Sequence, residues 1–262
     1  PVAITAFVRA LGLVGAFPTR ATPRKRLLAL VERLHPIHGG RNFLRLGGRG
    51  DGGYLVPDDL EGIAACWSAG VGRDSGFEFD CAERGMNVFL ADGSVAEPAC
   101  THPRFQFTRK FVGAIDDEKM TTLPSWMASV GRVVDELLLK LDIEGAEYEV
   151  LLAAPETLLS RFRIVVAEFH HLDHLWSEPF FRIASRAFDK LLSTHACVHV
   201  HPNNHDGVLR HRGIDIPPTM EFTFLRRDRL PADPAWRADF PHPLDRDNTD
   251  LGTVRLPRCW YR

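Results

Sequence analysis

The sequence predicts an α/β protein built on a doubly wound parallel sheet with helices on both faces. Short apolar runs alternate with segments of helical periodicity, which is typical of parallel strands joined by crossover helices. The chain has 262 residues, of which 45% are hydrophobic and 25% charged. This composition is sufficient for a full core, and it excludes a disordered chain or a small disulfide-stapled protein.

The elements can be placed in order along the chain. A first helix is expected after Thr22, as a capping hydroxyl, and Pro23, and it is expected to end at Gly39-Gly40. Further helices are expected at about 75–84, 119–130, 145–153 and 179–193. Strands are expected at 63–69, 87–91, 105–112, 136–142, 163–169, 196–201 and 220–226. Because ligands sit beyond the carboxyl ends of parallel strands, functional residues are expected just after each strand.

The charge is nearly balanced, since the net charge is -2, and no overall field favours nucleic acid. Residues 1–50 nevertheless carry nine Arg and Lys against one acid, Glu32. This basic segment is interpreted either as a solvated helical face or as a docking surface for an acidic substrate, a partner or a membrane. The five cysteines are scattered and form no C-x-x-C pair, which favours a reducing, cytoplasmic location over a disulfide framework or a zinc knuckle.

No apolar run approaches the roughly 18 to 20 residues that span a bilayer. The stretch from Val2 to Phe17 is apolar but contains Arg9 and has no basic leader. It is interpreted as a trimmed terminus or an amphipathic appendage, rather than as a transmembrane segment or a cleaved signal peptide.

The first chemical motif is the glycine turn at 68–76, which follows a predicted strand and opens into a helix. Gly70 and Gly72 allow a tight turn and close approach of the backbone to a ligand. A nucleoside cofactor suits this turn. A dinucleotide fingerprint would require glycine at position 75, where this chain has Ser75, so NAD is disfavoured.

An acid at the end of the next predicted strand forms the second motif. Asp92 lies 20 residues after Gly72, where a carboxylate can accept both hydroxyls of a ribose. The alternative interpretation is a turn aspartate in Asp92-Gly93-Ser94.

Two further predicted strands end in ionisable residues. Asp142 follows LLLKL, and Glu144 lies in the acid-rich turn after it. Glu168 and His170 end the strand VVAEFHH and share one side of it by alternation. Asp142, Glu168 and His170 are therefore candidate catalytic residues, either as a general base with its orienting acid or as ligands of a divalent metal such as Mg²⁺ or Mn²⁺.

A polar turn follows the sixth predicted strand, in the sequence HVHPNNH. His201, Asn203 and Asn204 are candidate acceptor-binding residues, as is Glu144, because amide and imidazole groups can hydrogen-bond a polar substrate. The histidine spacing matches no closed zinc motif.

With KLDIEGAEYEVL at 140–151, the glycine turn at 70–76 and the acid at 92, the chain resembles the FkbM-type family of S-adenosylmethionine-dependent methyltransferases. The resemblance covers about residues 45–228 and includes RLGGRGDGGYLVPD at 45–58 and PPTMEFTFLRR at 217–227. It implies a Rossmann-like sheet of seven strands, with the last strand antiparallel beside the sixth. It also implies a basic helical extension at 1–44 before a methyltransferase domain at 45–262.

The resemblance further implies residue roles. Ser68, Gly70, Val71 and Gly72 would contact the methionine part of S-adenosylmethionine, Asp92 the ribose, and Ala114 and Ile115 the adenine. Ser68 is a departure, because the family often has an acid two residues before the first glycine. The implied reaction is O-methylation of a hydroxyl on a sugar, glycan or natural-product small molecule. The alternatives are an NAD-dependent oxidoreductase and a non-catalytic binding module, and the sequence leaves the oligomeric state open.

Overall fold

The computed structural model describes residues 18–131 and 136–262. The apolar stretch from Val2 to Phe17 lies outside this part of the chain. The helices are α1 (Arg24–Arg33), α2 (Gly76–Glu83), α3 (Leu123–Val130), α4 (Glu147–Ala153), α5 (Glu156–Leu159) and α6 (Glu178–Thr194), with 3-10 turns at Leu172–Trp176, Arg227–Arg229 and Arg258–Trp260. None of these helices is long and apolar enough to cross a bilayer.

The central sheet has seven strands, and its class is the one the sequence predicts. In spatial order these strands are β10 (His195–Pro202), β13 (Met220–Arg226), β9 (Phe162–Phe169), β8 (Leu137–Leu141), β3 (Ala65–Ala69), β4 (Asn87–Ala91) and β5 (Phe105–Thr108). The strand β13 runs antiparallel to β9 and β10, and the pairs from β9 to β5 are parallel. The expected antiparallel last strand is therefore confirmed.

Three two-stranded sheets surround this core. They are formed by β1 (Phe43–Leu46) with β2 (Tyr54–Pro57), by β6 (Phe111–Gly113) with β7 (Met120–Thr122), and by β11 (Leu209–His211) with β12 (Ile214–Ile216). The prediction of a single strand at 105–112 is therefore wrong, because this segment contributes to two strands, β5 and β6. The helix expected at 119–130 begins only at Leu123, where the Thr122 side chain accepts a hydrogen bond from Ser125 N.

The first helix also differs from its expectation at both ends. The Thr22 hydroxyl does not cap α1; it donates to the Leu175 carbonyl at 2.6 Å, and Pro23 occupies the N-cap position. The helix ends at Arg33, before the expected Gly39-Gly40. Here tertiary contacts override the local signals, because the buried Leu27 and Leu30 dock α1 onto the main core cluster.

The two faces of the sheet carry separate apolar clusters. One contains Trp67, Leu139 and Val165 together with α1, α3, α4 and α6, and the other contains Cys66 and Leu138 together with α2 and the β1–β2 hairpin. Alternation along each strand sends neighbouring side chains to opposite clusters. Residues that follow β3, β4, β8 and β9 are thereby held at one edge of a rigid sheet.

Candidate active site

The glycine turn lies directly against the loop that follows β8. Gly70 has a φ of +81°, and a Cβ atom at this position would lie 1.6 Å from the Asp142 carbonyl oxygen. Only glycine fits there, so Gly70 packs the turn against the acid-rich loop. Gly72 also has positive φ, at +56°, but a Cβ there would meet nothing within 4 Å. The turn is therefore closed toward β8 at Gly70 and open at Gly72.

Asp92 closes the same turn from the end of β4. Its Oδ2 accepts hydrogen bonds from Val71 N at 3.0 Å and Gly72 N at 2.9 Å, and its Oδ1 accepts from the amide and hydroxyl of Ser94. Burial raises the pKa of Asp92, but the bonds from Ser94 and the turn amides outweigh it and lower the pKa. Asp92 thus holds the turn in place and keeps its negative charge at the expected ribose position.

A buried acid, Glu78, lies next to the glycine turn. It comes from α2, whereas position 68 on β3, where an acid is common in the family that the chain resembles, is a serine. The hydroxyl of Ser68 donates to Oε1 of Glu78, which is 1% exposed. The Lys140 ammonium lies 3.5 Å from the same oxygen and donates to the Gly70 carbonyl at 2.6 Å. Burial lowers the pKa of Lys140, but the charges of Glu78 and Asp142 raise it by more than burial lowers it. Lys140 therefore remains a cation.

The loop expected to border an adenine lies beside the Asp92 turn. A Cβ atom at Gly93 would lie 2.6 Å from the ring of Phe111, which begins β6. Ala114 and Ile115 follow β6 and are exposed, Ile115 to 57%. Ile115 therefore presents an apolar surface to solvent in the loop that follows β6.

Asp142, Glu168 and His170 come together at the adjacent part of the sheet edge. One ligand atom from each lies within 4.8 Å of the others. The strand register explains this convergence, since Leu141 pairs with Ala167 and places Asp142 and Glu168 at the same level. Two carboxylates and an imidazole at these distances can bind a divalent cation or handle a proton.

Each of the three side chains is held by a specific partner. The Tyr54 hydroxyl donates to Oδ2 of Asp142 at 2.8 Å, and the Asn203 amide donates to Oε1 of Glu168 at 2.7 Å. Within the described part of the chain, no hydrogen bond reaches Oδ1 of Asp142. This oxygen is therefore available to an incoming hydroxyl.

The buried Glu147 holds His170. Oε1 of Glu147 accepts from His170 Nδ1 at 3.1 Å and from the amides of Ile143 and Gly145, whereas its buried Oε2 has no hydrogen-bond partner among residues 18–131 and 136–262. Burial lowers the pKa of His170, but the Glu147 hydrogen bond and the nearby carboxylates raise it to about 9. His170 is accordingly an imidazolium at neutral pH.

The pKa of Glu168 is also shifted. Burial raises it first, and the negative charges of Asp142 and Glu221 raise it further, to well above the ordinary value. Glu221 lies directly opposite Glu168 on β13. Three carboxylates close together disfavour full ionisation, so this cluster holds protons that isolated carboxyl groups would lose.

Backbone strain accompanies these shifts. Glu144 and His171 are non-glycine residues with left-handed φ values of 57° and 59°. A Cβ atom at Gly145 would lie 2.9 Å from the His171 ring, so the two loops are packed together. The Glu144 side chain is 88% exposed and points one carboxylate oxygen at His170 Nε2, 3.5 Å away.

The remaining candidates, at the end of β10 and just after it, are divided between two places. Asn203 contacts the triad through Glu168. His201 instead bonds the Arg246 carbonyl and lines a cavity of about 310 Å³ under the C-terminal segment. Asn204 donates to the carbonyls of Thr249 and Leu251. The structure therefore brings Asn203, but not His201 or Asn204, into contact with the triad.

Sequence reasoning missed four residues of this site: Tyr54, Glu78, Lys140 and Glu147. Lys140 and Glu147 stand inside the motif at 140–151, where a lysine in an apolar strand is itself a signal of a buried charge pair. Tyr54 lies 88 residues from Asp142, and only the fold reveals that contact.

Comparison with known proteins adds a family. The sequence profile of the FkbM methyltransferase domain matches residues 58–194, slightly more than half of the chain. The chain belongs to the FkbM methyltransferase family. The matched residues include the glycine turn, Asp92 and all three members of the triad. A comparison with curated proteins gave no significant match.

Some solved structures are similar to part of this chain at low sequence identity. A candidate DNA modification methyltransferase from an E. coli prophage is 12% identical over 63% of this chain and 47% of its own, with a TM-score of 0.40. This chain thus spans about half the length of that protein. A 16S rRNA (adenine(1408)-N(1))-methyltransferase mutant from Catenulisporales acidiphilia is 12% identical over 70% of this chain and 98% of its own, with a TM-score of 0.33. The magnesium protoporphyrin IX methyltransferase of Synechocystis is 15% identical over 64% and 75%, with a TM-score of 0.34.

Proposed function

We propose that this FkbM-family chain is an S-adenosylmethionine-dependent O-methyltransferase. Its acceptor is a hydroxyl of a sugar, glycan or natural-product small molecule, and its expected location is the cytoplasm. The observation that carries the proposal is the convergence of Asp142, Glu168 and His170 within 4.8 Å, beside a turn in which Gly70 packs directly on Asp142. A methyl donor at the turn and a hydroxyl at the triad would be neighbours.

The glycine turn fits the cofactor. The open space at Gly72 leaves room for the methionine part, and Asp92 offers a carboxylate at the ribose position. Ile115 offers an apolar surface to the adenine. The departure at Ser68 is compensated in this interpretation by Glu78, which supplies the buried acid from α2.

The triad supplies what transfer to a hydroxyl requires. The new C–O bond forms as the sulfonium–methyl bond breaks, and the hydroxyl proton must leave. Oδ1 of Asp142 accepts the hydrogen bond of the hydroxyl, and the Asp142–Glu168 pair takes up its proton. The imidazolium of His170 stabilises the negative charge that develops on the oxygen. Positioning of the two reactants contributes much of the remaining rate.

The same three side chains also fit a divalent cation. Asp142 and Glu168 offer carboxylate oxygens and His170 an imidazole nitrogen, a donor set that suits Mg²⁺ or Mn²⁺. Such an ion would lower the pKa of the hydroxyl. A proton would then leave His170, so the metal-assisted and metal-free forms of the site are mutually exclusive.

Calorimetry tests the cofactor first. S-adenosylhomocysteine should bind and NAD should not, and Gly72→Val should remove the binding while the protein stays folded. Binding of NAD with no response to S-adenosylhomocysteine would contradict the proposal.

A panel of hydroxylated acceptors tests the reaction, with release of S-adenosylhomocysteine as the signal. Turnover that is lost with EDTA and restored by Mg²⁺ or Mn²⁺ would support the metal-assisted form; turnover indifferent to EDTA would support the proton-transfer form. Cofactor binding without turnover on any acceptor would favour the non-catalytic binding module.

A further inference from the structure

A dense group of positive charges lies where the start of α1, the start of α6 and the turn between β11 and β12 meet. This group, here called the basic patch, surrounds the single carboxylate of Glu178. It consists of Arg20, Arg24, Lys25, Arg26, Arg182 and Arg212. Six cations against one anion give the patch a net positive charge although the whole chain is slightly negative.

Contacts join the three elements that carry these residues. Three guanidinium groups approach the Glu178 carboxylate: Arg20 at 3.8 Å, Arg26 at 3.5 Å and Arg182 at 2.8 Å. Nε of Arg24 donates to the Arg212 carbonyl at 3.0 Å, which joins α1 to the β11–β12 turn. One carboxylate compensates only one of its three cations, so most of the positive charge is left for an external anion.

The placement of these charges is unfavourable for the isolated helix. The first turn of α1 contains Arg24, Lys25 and Arg26 and no acidic residue. The amino end of a helix carries partial positive charge, so acids stabilise this position and cations destabilise it. An anionic surface docked on the patch would remove this repulsion.

Apolar groups adjoin the charges. Ile183, next to Arg182 on α6, is 47% exposed, and Leu209 at the base of the β11–β12 hairpin is 40% exposed. The Thr19 hydroxyl oxygen lies 2.9 Å from that of Ser177, which places the chain just before α1 against the start of α6.

We infer that the basic patch docks this protein on an anionic phospholipid bilayer. Stable attachment at a bilayer surface requires both electrostatic attraction and apolar insertion. The patch supplies the first, and the exposed side chains of Ile183 and Leu209 supply the second. A nucleic acid is the other polyanion that could fit the charges, but it would not use the apolar neighbours. The inference is independent of the methyltransferase reaction.

Sedimentation of the full chain with vesicles tests the inference. The protein should pellet with vesicles containing about one-third phosphatidylserine and not with pure phosphatidylcholine, because the anionic surface potential provides the attraction. Salt at about 0.5 M should release it, since the Debye length then falls well below 10 Å. Equal binding to both vesicle types would overturn the inference.

Two matched triple variants locate the surface. In the patch, the variant Arg20→Gln, Arg24→Gln, Lys25→Gln removes three charges, and each is expected to lower the partition coefficient roughly fivefold, or on the order of 100-fold together. The control Arg84→Gln, Arg104→Gln, Arg109→Gln removes the same charge from exposed residues that follow α2 and flank β5, an edge strand of the central sheet. The control should partition like the parent protein.

Thermal melting and binding of S-adenosylhomocysteine should be the same in both triple variants and the parent, which separates a docking defect from a folding defect. Should the patch variant misfold, the salt release and the vesicle preference of the parent still decide the question. Unchanged partitioning of a folded patch variant, or binding of a DNA duplex in preference to the anionic vesicles, would overturn the inference.

Discussion

The cofactor side of the site, after β3 and β4, differs in its internal bonding from the acceptor side, after β8 and β9. On the cofactor side, Asp92 accepts four hydrogen bonds from Val71, Gly72 and Ser94, and its charge is stabilised. On the acceptor side, one buried oxygen of Glu147 has no partner in the described part of the chain, and burial and like charges raise the pKa of Glu168.

The difference separates what holds the site together from what does the chemistry. Satisfied hydrogen bonds rigidify the cofactor turn and leave little reactivity in it. The unpartnered oxygen of Glu147, the raised pKa of Glu168 and the left-handed backbone of Glu144 and His171 cost free energy, and they persist because the surrounding sheet holds them. Reactivity is therefore expected on the acceptor side, and substitutions should affect the two sides differently.

The largest expected effect separates the two glycines of the turn. Gly70→Ala places a Cβ 1.6 Å from the Asp142 carbonyl at a φ of +81°, so we expect a loss above about 4 kcal/mol in the free energy of unfolding. The new Cβ of Gly72→Ala meets no atom within 4 Å. Only the left-handed backbone then opposes alanine, and the free energy of unfolding should fall by about 1 kcal/mol. Urea denaturation of both variants measures this, and equal stabilities would show that the two loops are not packed as described.

The next largest effect is expected at the triad. Asp142→Asn keeps an oxygen for the Tyr54 hydroxyl but removes the negative charge, so turnover should fall by roughly 10² to 10⁴. The affinity for S-adenosylhomocysteine should stay unchanged, because Asp142 belongs to the acceptor side. Asp173→Asn, at an acid whose carboxylate lies 3.9 Å from the His174 ring, is the control. Parallel losses of affinity and turnover in Asp142→Asn would show that Asp142 also contributes to cofactor binding, contrary to the division into two sides.

Much of this arrangement was predictable because its signals are local. Each strand of the central sheet is a short apolar run. The glycine turn, Asp92 and Asp142 directly follow strand ends, and Glu168 is the last residue but one of β9. The division of 105–112 was not predictable from periodicity, since β6 leaves the central sheet to pair with β7. The β1–β2 hairpin was also missed, because its glycine-rich connection lacks a strand pattern.

The partners of the site were less predictable than its members. Tyr54 and Asn203 reach the triad from distant parts of the chain, and a single sequence carries no signal for such pairs. The protonation state of the site also depends on such buried partners. The sequence allowed His170 as a neutral base, whereas the buried Glu147 beside it keeps it protonated.

That protonation gives a test through stability. The pKa of His170 rises in the folded state from 6.5 to about 9, so folding favours the imidazolium. The stabilisation is fully present below about pH 6.5 and is lost as pH rises through about 9. The difference in unfolding free energy between the parent and His170→Gln should therefore be on the order of 2 kcal/mol larger at pH 6 than at pH 10.

His195 provides a control of opposite sign. Burial lowers the pKa of His195 to about 4. Its contribution to the free energy of unfolding is therefore present above about pH 6.5 and lost as pH falls toward 4. His195→Gln should therefore differ from the parent most at neutral and higher pH. If His170→Gln shows the same pH dependence as His195→Gln, His170 is not protonated in the folded protein at neutral pH.

The smallest effect tests the link between the hairpin and the acceptor side. Burial, then the charge of Asp142, raises the pKa of Tyr54 well above its ordinary value, so the phenol keeps its proton and donates to Oδ2 of Asp142. Tyr54→Phe leaves the edge-to-face contact with Phe77 possible but frees Asp142 to rotate. Losing a hydrogen bond to a charged group should lower kcat about tenfold, with the KM for S-adenosylmethionine unchanged. Tyr261→Phe, far from the triad, should leave kcat unaltered. An unchanged kcat in Tyr54→Phe would mean that the acceptor side orients its acid without the hairpin.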